Sequence, residues 1–158
     1  MILQIGMLVL SFLILGPVHA QQAEQMNMNI LKEKIKADKK LIVATNMTLT
    51  DAEAKNFCPL YDGYQKELEQ INQRLGTTIN SYADPYNAGK GEIPNEAAKK
   101  LLADALAVDE SEVKLRQSYS AKMGKVLPAT KGARYLQIEN KIRAIIKFEL
   151  AAQIPLAS

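Results

Sequence analysis

Histidine, cysteine and tryptophan are nearly absent from the sequence, which contains His19, Cys58 and no tryptophan. Metal sites built on histidine or on paired cysteines are excluded downstream of His19, because one thiol cannot complete a coordination shell. The same scarcity excludes Ser-His-Asp and Cys-His catalysis. The segment Gly89-Lys90-Gly91 lacks the strand-loop-helix context of a phosphate-binding loop. We therefore expect no catalytic, cofactor-binding or metal-binding residues, and a protein that is not an enzyme.

Lysine and arginine are absent from residues 1–18, where the run from Ile5 to Leu15 is largely apolar. An apolar stretch of this length, followed by Gly16-Pro17 and a small residue at Ala20, is typical of a secretory signal peptide. We expect cleavage after Ala20, a single domain over residues 21–158 and a periplasmic location. The alternative is an uncleaved membrane anchor, for which the segment is at the lower limit of length.

An excess of charge is also lacking, because 20 basic and 17 acidic side chains give a net charge of +3. A nucleic-acid-binding protein would show a stronger and more concentrated basic excess, so we expect no nucleic-acid partner. A single cysteine forms no internal disulfide, and the stability of an exported chain must then come from packing or from oligomerisation.

The first predicted helix runs from Glu24 to about Ala44, and a capping box opens the second. Residues 39–45 are rich in β-branched side chains, so a short extended segment is the alternative there. Thr50 and Glu53 have the spacing at which each side chain satisfies a free backbone amide of the other. The second helix then presents apolar residues at alternating steps of four and three, which is typical of lengthwise helix packing. These residues are Phe57, Tyr61, Tyr64, Leu68, Ile71, Leu75, Thr78 and Tyr82.

Prolines and glycines between Ala83 and Pro94 predict a loop. A third helix is expected from Asn95 to Gly124, with Leu102 and Val113 among its core positions. A fourth runs from after Pro128 to about Gln153, with Ile145 and then either Phe148 or Glu149 in its apolar seam. The fold class is thus all-α, an elongated antiparallel hairpin or bundle of about four helices. We expect a homodimer that covers the remaining apolar faces.

Cys58 stands beside Phe57 and Pro59, next to the apolar seam of the second helix. A free cysteine in such a position is usually a small buried hydrophobe, and we expect burial. A redox thiol and an intermolecular link are the alternatives.

The segment Leu49-Thr50-Asp51-Ala52-Glu53 resembles the Leu-Thr-x-x-Gln motif of the Spy and CpxP periplasmic proteins, with Glu53 in place of the glutamine. Leu127-Pro128-Ala129-Thr130-Lys131 resembles a second, partial copy, with Pro128 and Lys131 replacing the threonine and the glutamine. The resemblance implies a long helical hairpin whose protomers pair into a thin curved dimer. It also implies a concave face that holds unfolded clients or a sensor kinase domain without ATP.

We therefore expect a non-enzymatic periplasmic protein that binds unfolded or envelope proteins, as a chaperone or an envelope-stress accessory. The mechanism would be contact with apolar side chains, assisted by lysines. After signal cleavage, no stable membrane insertion is expected. The alternative is a structural or assembly subunit of the bacterial envelope without client binding. The candidate partner-binding residues are Leu49, Thr50, Glu53, Phe57, Tyr61, Tyr64 and Met123.

Overall fold

A computed structural model describes residues 38–89 and 91–156, and these residues form four helices and no strand. Residues 38–47 are helical (α1), followed by α2 (Asp51–Ala88), α3 (Asn95–Met123) and α4 (Ala129–Gln153). One compact unit spans Ile42–Ser158. The all-α prediction is confirmed. The predicted signal peptide, residues 1–20, and the predicted first helix up to residue 37 lie outside the described residues.

The predicted capping box opens α2. The backbone N–H of Glu53 donates to Thr50 Oγ1 at 3.3 Å, and the backbone N–H of Thr50 donates to Glu53 Oε2 at 2.8 Å. Two of the four amides that a helix leaves unpaired at its start are thereby satisfied. This confirms the beginning of the second helix to the residue.

The predicted loop from Ala83 to Pro94 is wrong in its first half, because α2 continues through Pro85 to Ala88. Proline removes one backbone donor, but its carbonyl still accepts, here from the N–H of Gly89 at 2.8 Å. Tyr82 adds a tertiary contact, since its hydroxyl donates to the carbonyl of Pro155 at 2.8 Å. The true turn is shorter and uses Gly91, whose φ of 108° suits glycine.

The core of the bundle is built on the seam of α2, and most of the predicted positions are confirmed. Side chains from all four helices and from the α3–α4 connection meet there. The buried apolar residues are Val43, Met47, Phe57, Tyr61, Tyr64, Leu68, Ile71, Val108, Leu115, Tyr119, Met123, Leu127 and Tyr135. Four of these thirteen are tyrosines, so the core brings hydroxyl groups inside together with apolar rings.

The seams predicted for α3 and α4 are partly wrong. Leu102 is 64% exposed, and Val113 is also exposed although its chain neighbour Glu112 is buried. In α4, Ile145 and Phe148 are 64% and 72% exposed, whereas Glu139 is buried. The apolar spacing predicted the wrong inward-facing residues, because two carboxylates occupy inward positions and their apolar neighbours point outward.

Gly63 marks a close approach of α2 to α3. A Cβ atom at this position would lie 2.8 Å from Tyr119 Oη, a hydroxyl that donates to Glu67 Oε1 at 2.7 Å. Gly76, in the same helix, has nothing within 4 Å of an added Cβ. The two glycines therefore differ in their surroundings although both are helical.

Substitution of these two glycines by alanine separates close packing from helix propensity. We expect Gly76→Ala to raise the free energy of unfolding by about 0.5–1 kcal/mol, because alanine favours the helix. Gly63→Ala should lower it by about 1–2 kcal/mol, because the methyl group displaces the Tyr119 hydroxyl. Urea unfolding followed by circular dichroism measures both. Equal stabilisation by the two variants would contradict the close approach.

Candidate functional site

Phe57, Tyr61, Tyr64 and Met123, predicted to form a contact surface, lie in the core, so their predicted exposure is wrong. The Phe57 and Tyr135 rings meet edge to face with centroids 5.2 Å apart. Tyr64 packs in the same way against Tyr119, at 5.4 Å. The aromatic spacing of α2 thus reflects packing inside the monomer. Partner contact through these residues would require the bundle to open.

Leu49, Thr50 and Glu53 lie where the two Leu-Thr-like segments of the sequence meet. Leu49 packs partly buried against the core, and Thr50 caps α2. Lys131, near the start of α4, donates to Glu53 Oε2 and, at 2.9 Å, to the carbonyl of Thr48. The hydrogen bond from Lys131 lowers the pKa of Glu53 below its usual value. Chain segments far apart in sequence are therefore tied together by one ion pair.

Thr48, which accepts from Lys131, has a φ of 48°. A β-branched residue in the left-handed region is strained, and such a conformation persists only where neighbouring contacts impose it. Arg134 adds a second contact from α4, donating to the carbonyl of Asn46 at 3.4 Å. We interpret this junction as a structural clamp on the α1–α2 connection.

A layer of polar side chains crosses the core between α2 and α4. Glu139 is fully buried, and its Oε1 accepts from Gln65 Nε2 at 2.8 Å. The same amide donates to Tyr135 Oη at 3.3 Å. Burial raises the pKa of Tyr135 well above its usual value, and the neighbouring Glu139 adds to this effect. One glutamine thus connects a buried carboxylate with a buried hydroxyl.

A second polar group joins α3 to α4. Arg143 Nη2 contacts Glu112 Oε1, and Lys147 Nζ lies 3.3 Å from Glu112 Oε2. Lys147 also donates to Asp109 Oδ1 at 2.9 Å. Burial lowers the pKa of Arg143, but the guanidinium remains charged because its usual pKa exceeds 12. The α3–α4 contact is therefore ionic at its centre.

Burial also affects the other core tyrosines. It raises the pKa of Tyr61 and Tyr64 to about 12, with a smaller contribution from the charge of Glu139. The pKa of Tyr119 likewise rises to about 12, first through burial and then through its hydrogen bond to Glu67. These hydroxyls stay protonated at neutral pH; Tyr119 donates to Glu67, whereas the buried hydroxyl of Tyr64 has no hydrogen-bond partner.

The described residues contain no group of three histidine, cysteine, aspartate or glutamate side chains that could hold a metal ion. A groove of about 600 Å³ lies between α2 and α3. Its lining residues are Glu67, Gln70, Ile71, Arg74, Ser111, Lys114, Leu115 and Ser118. This lining mixes both charges and does not select one ligand chemistry.

Cys58 is exposed, so the predicted burial is wrong. Its neighbour Phe57 faces the core, and successive helical residues are turned by about 100°. The side chain therefore points away from the core although the sequence around it is apolar.

Two rows of side chains that include residues predicted to lie in the core are exposed. The α4 outer stripe comprises Lys141, Ile145, Phe148 and Ala152, which follow one another at steps of four, three and four and are all exposed. The α3 outer stripe comprises Lys99, Leu102, Leu106, Glu110 and Val113, which are exposed as well. The sequence contained one sign that the α4 outer stripe is exposed. Tyr135, Glu139 and Arg143 form another row on α4, and the two polar members of this row have polar partners inside the bundle.

No helix within the described part of the chain is both long enough and apolar enough to cross a bilayer.

Removal of Arg143 tests the ionic contact between α3 and α4. We expect Arg143→Met to lower the free energy of unfolding by about 3–5 kcal/mol, because the buried carboxyl group of Glu112 loses its main partner. The double variant Glu112→Leu/Arg143→Met should recover most of this loss. Lys114→Met is the control, since it breaks only an exposed bridge to Glu110. Chemical denaturation provides the measurement, and a double variant no more stable than Arg143→Met would argue against the buried pair.

Comparison of the chain with known protein families, with curated proteins and with solved structures finds no match.

Proposed function

We propose that this chain is an exported, non-enzymatic protein-binding protein that acts in the periplasm as an ATP-independent chaperone or envelope-stress accessory. The observation that carries the proposal is the α4 outer stripe, where Ile145 and Phe148 are 64% and 72% exposed. Adjacent large apolar side chains on a surface are typical of sites that bind other proteins. The periplasmic location is supported by the signal-like pattern of residues 1–20.

The α4 outer stripe combines the two features that weak client binding requires. Ile145 and Phe148 offer apolar area, and the exposed Lys141 one turn before Ile145 adds a positive charge. An unfolded chain presents apolar side chains together with carboxylates, so both can be satisfied at once. The charge would mainly speed the encounter, while burial of the ring and the branched chain supplies the attraction.

The magnitude of this attraction favours fast release. Full burial of two large apolar side chains contributes roughly 3–6 kcal/mol. Association itself costs about 4–15 kcal/mol in lost freedom of motion. One such stripe cannot hold a client tightly, so repeated brief contacts are expected. This suits a holdase that releases its clients without a nucleotide.

The buried aromatic residues do not take part in this mechanism. Tyr64 and Tyr135 are at most 1% exposed, and their rings are 5.9 Å apart in an edge contact. Exposing them to a client would break the core of the bundle. The proposal therefore rests on the surface of the folded protein, not on its opening.

An aggregation assay with a chemically unfolded client tests the function. The purified exported protein, without ATP, should suppress light scattering by the client at stoichiometric excess. The variant Ile145→Ser/Phe148→Ser should need about tenfold more protein for the same effect, which corresponds to a loss of about 1.4 kcal/mol. This change removes most of the apolar area of the α4 outer stripe.

The matched control is Leu41→Ser/Ile42→Ser, which removes two side chains that are 65% and 44% exposed elsewhere on the surface. It should protect the client as well as the unaltered protein does. The proposal fails if the unaltered protein gives no protection, or if the α4 variant and the control protect equally. A fixed assembly of the chain with an envelope partner would then become the better explanation.

A further inference from the structure

The α3 outer stripe lies on a face of α3 that no described element covers. Leu102 and Leu106 are 64% and 60% exposed. The buried residues Val108 and Leu115 of the same helix are turned from this stripe by about 160–180°. Glu112, which contacts Arg143 of α4, is on the buried side as well. The stripe therefore faces outward in the folded chain.

The order of residues along this stripe is self-complementary. Lys99 precedes the two leucines and Glu110 follows them. If a second copy of α3 lies antiparallel, about an axis close to residue 104, Leu102 of each copy meets Leu106 of the other. Lys99 of each copy then lies beside Glu110 of the other, because both charges are about equally far from the axis. A twofold interface requires this kind of match.

Side-chain size and the existing charge contacts are compatible with this pairing. Ala103, which is exposed beside Leu102, leaves space for a leucine of the other copy. Lys99 now pairs with Glu96, and Glu110 with Lys114, in bridges that are mostly exposed to solvent. Such bridges contribute little and exchange readily. Both charges are thus available to a partner.

We propose that two copies of this chain form a dimer by antiparallel pairing of α3 through the α3 outer stripe. The leucines supply the apolar contact, and the two symmetric Lys99–Glu110 pairs set the direction and register. A parallel arrangement would place lysine beside lysine and glutamate beside glutamate, which disfavours it. The proposal does not depend on the proposed function, because the α4 outer stripe takes no part in it.

Sedimentation equilibrium of the full exported protein tests the interface. The unaltered protein should be a dimer at micromolar concentrations, and Leu106→Lys should raise the dissociation constant at least tenfold. Leu41→Lys is the matched control, since Leu41 is 65% exposed and lies on α1. It should leave the dimer unchanged. A monomeric unaltered protein, or a Leu106→Lys variant that dimerises as tightly as the control, would overturn the proposal.

Charge exchange tests the antiparallel register independently of the leucines. Lys99→Glu and Glu110→Lys should each weaken the dimer, because each places like charges side by side. The double variant Lys99→Glu/Glu110→Lys should restore it, and an equimolar mixture of the two single variants should form the mixed dimer. Circular dichroism confirms that every variant remains helical. If neither the double variant nor the mixture regains dimerisation, the proposed register is wrong.

Discussion

Ionisable groups inside this bundle must find partners there, and that requirement shapes the other packing choices. Glu139 accepts from Gln65, and Glu112 contacts Arg143, all across helix interfaces. A buried charge that loses its partner is far more costly than an exposed one. The positions of α2, α3 and α4 relative to one another are therefore fixed by polar contacts as well as by apolar packing. The tyrosine rings fill the space around these contacts.

The exposed surfaces follow from the same requirement. Because Glu112 and Glu139 take inward positions, the apolar residues of α3 and α4 that lie at other angles are directed to solvent. Leu102 on α3 and Phe148 on α4 are the most exposed of these residues, at 64% and 72%. A polar interior thus creates an apolar exterior on these two helices. The surfaces proposed for client binding and for dimer formation are two parts of this exterior.

The sequence predicted α2 well and the outer helices less well, for a physical reason. The capping box at Thr50 is a local signal, and the aromatic spacing of α2 is regular. The structure therefore agrees with both predictions. The last turns of α2 include a tertiary contact of Tyr82 with Pro155, which local proline and glycine content could not indicate. The seams predicted for α3 and α4 were based on the assumption that charged residues face solvent. A buried pair such as Glu112 with Arg143 can be recognised only from the three-dimensional structure, because its members lie on different helices.

The core of this bundle holds tyrosine hydroxyls close to buried carboxylates, and alkaline titration is the decisive test of that arrangement. Tyr61, Tyr64 and Tyr119 have pKa values raised to about 12, while the unfolded value is near 10. Their contribution to stability is therefore complete below about pH 10 and is lost as the pH rises towards 12. Tyrosinate absorbance and helical circular dichroism should be recorded together. We expect Tyr61, Tyr64 and Tyr119 to ionise only near pH 12, together with loss of helix. Ionisation of all six tyrosines near pH 10, with the helical signal intact, would refute this arrangement of the core.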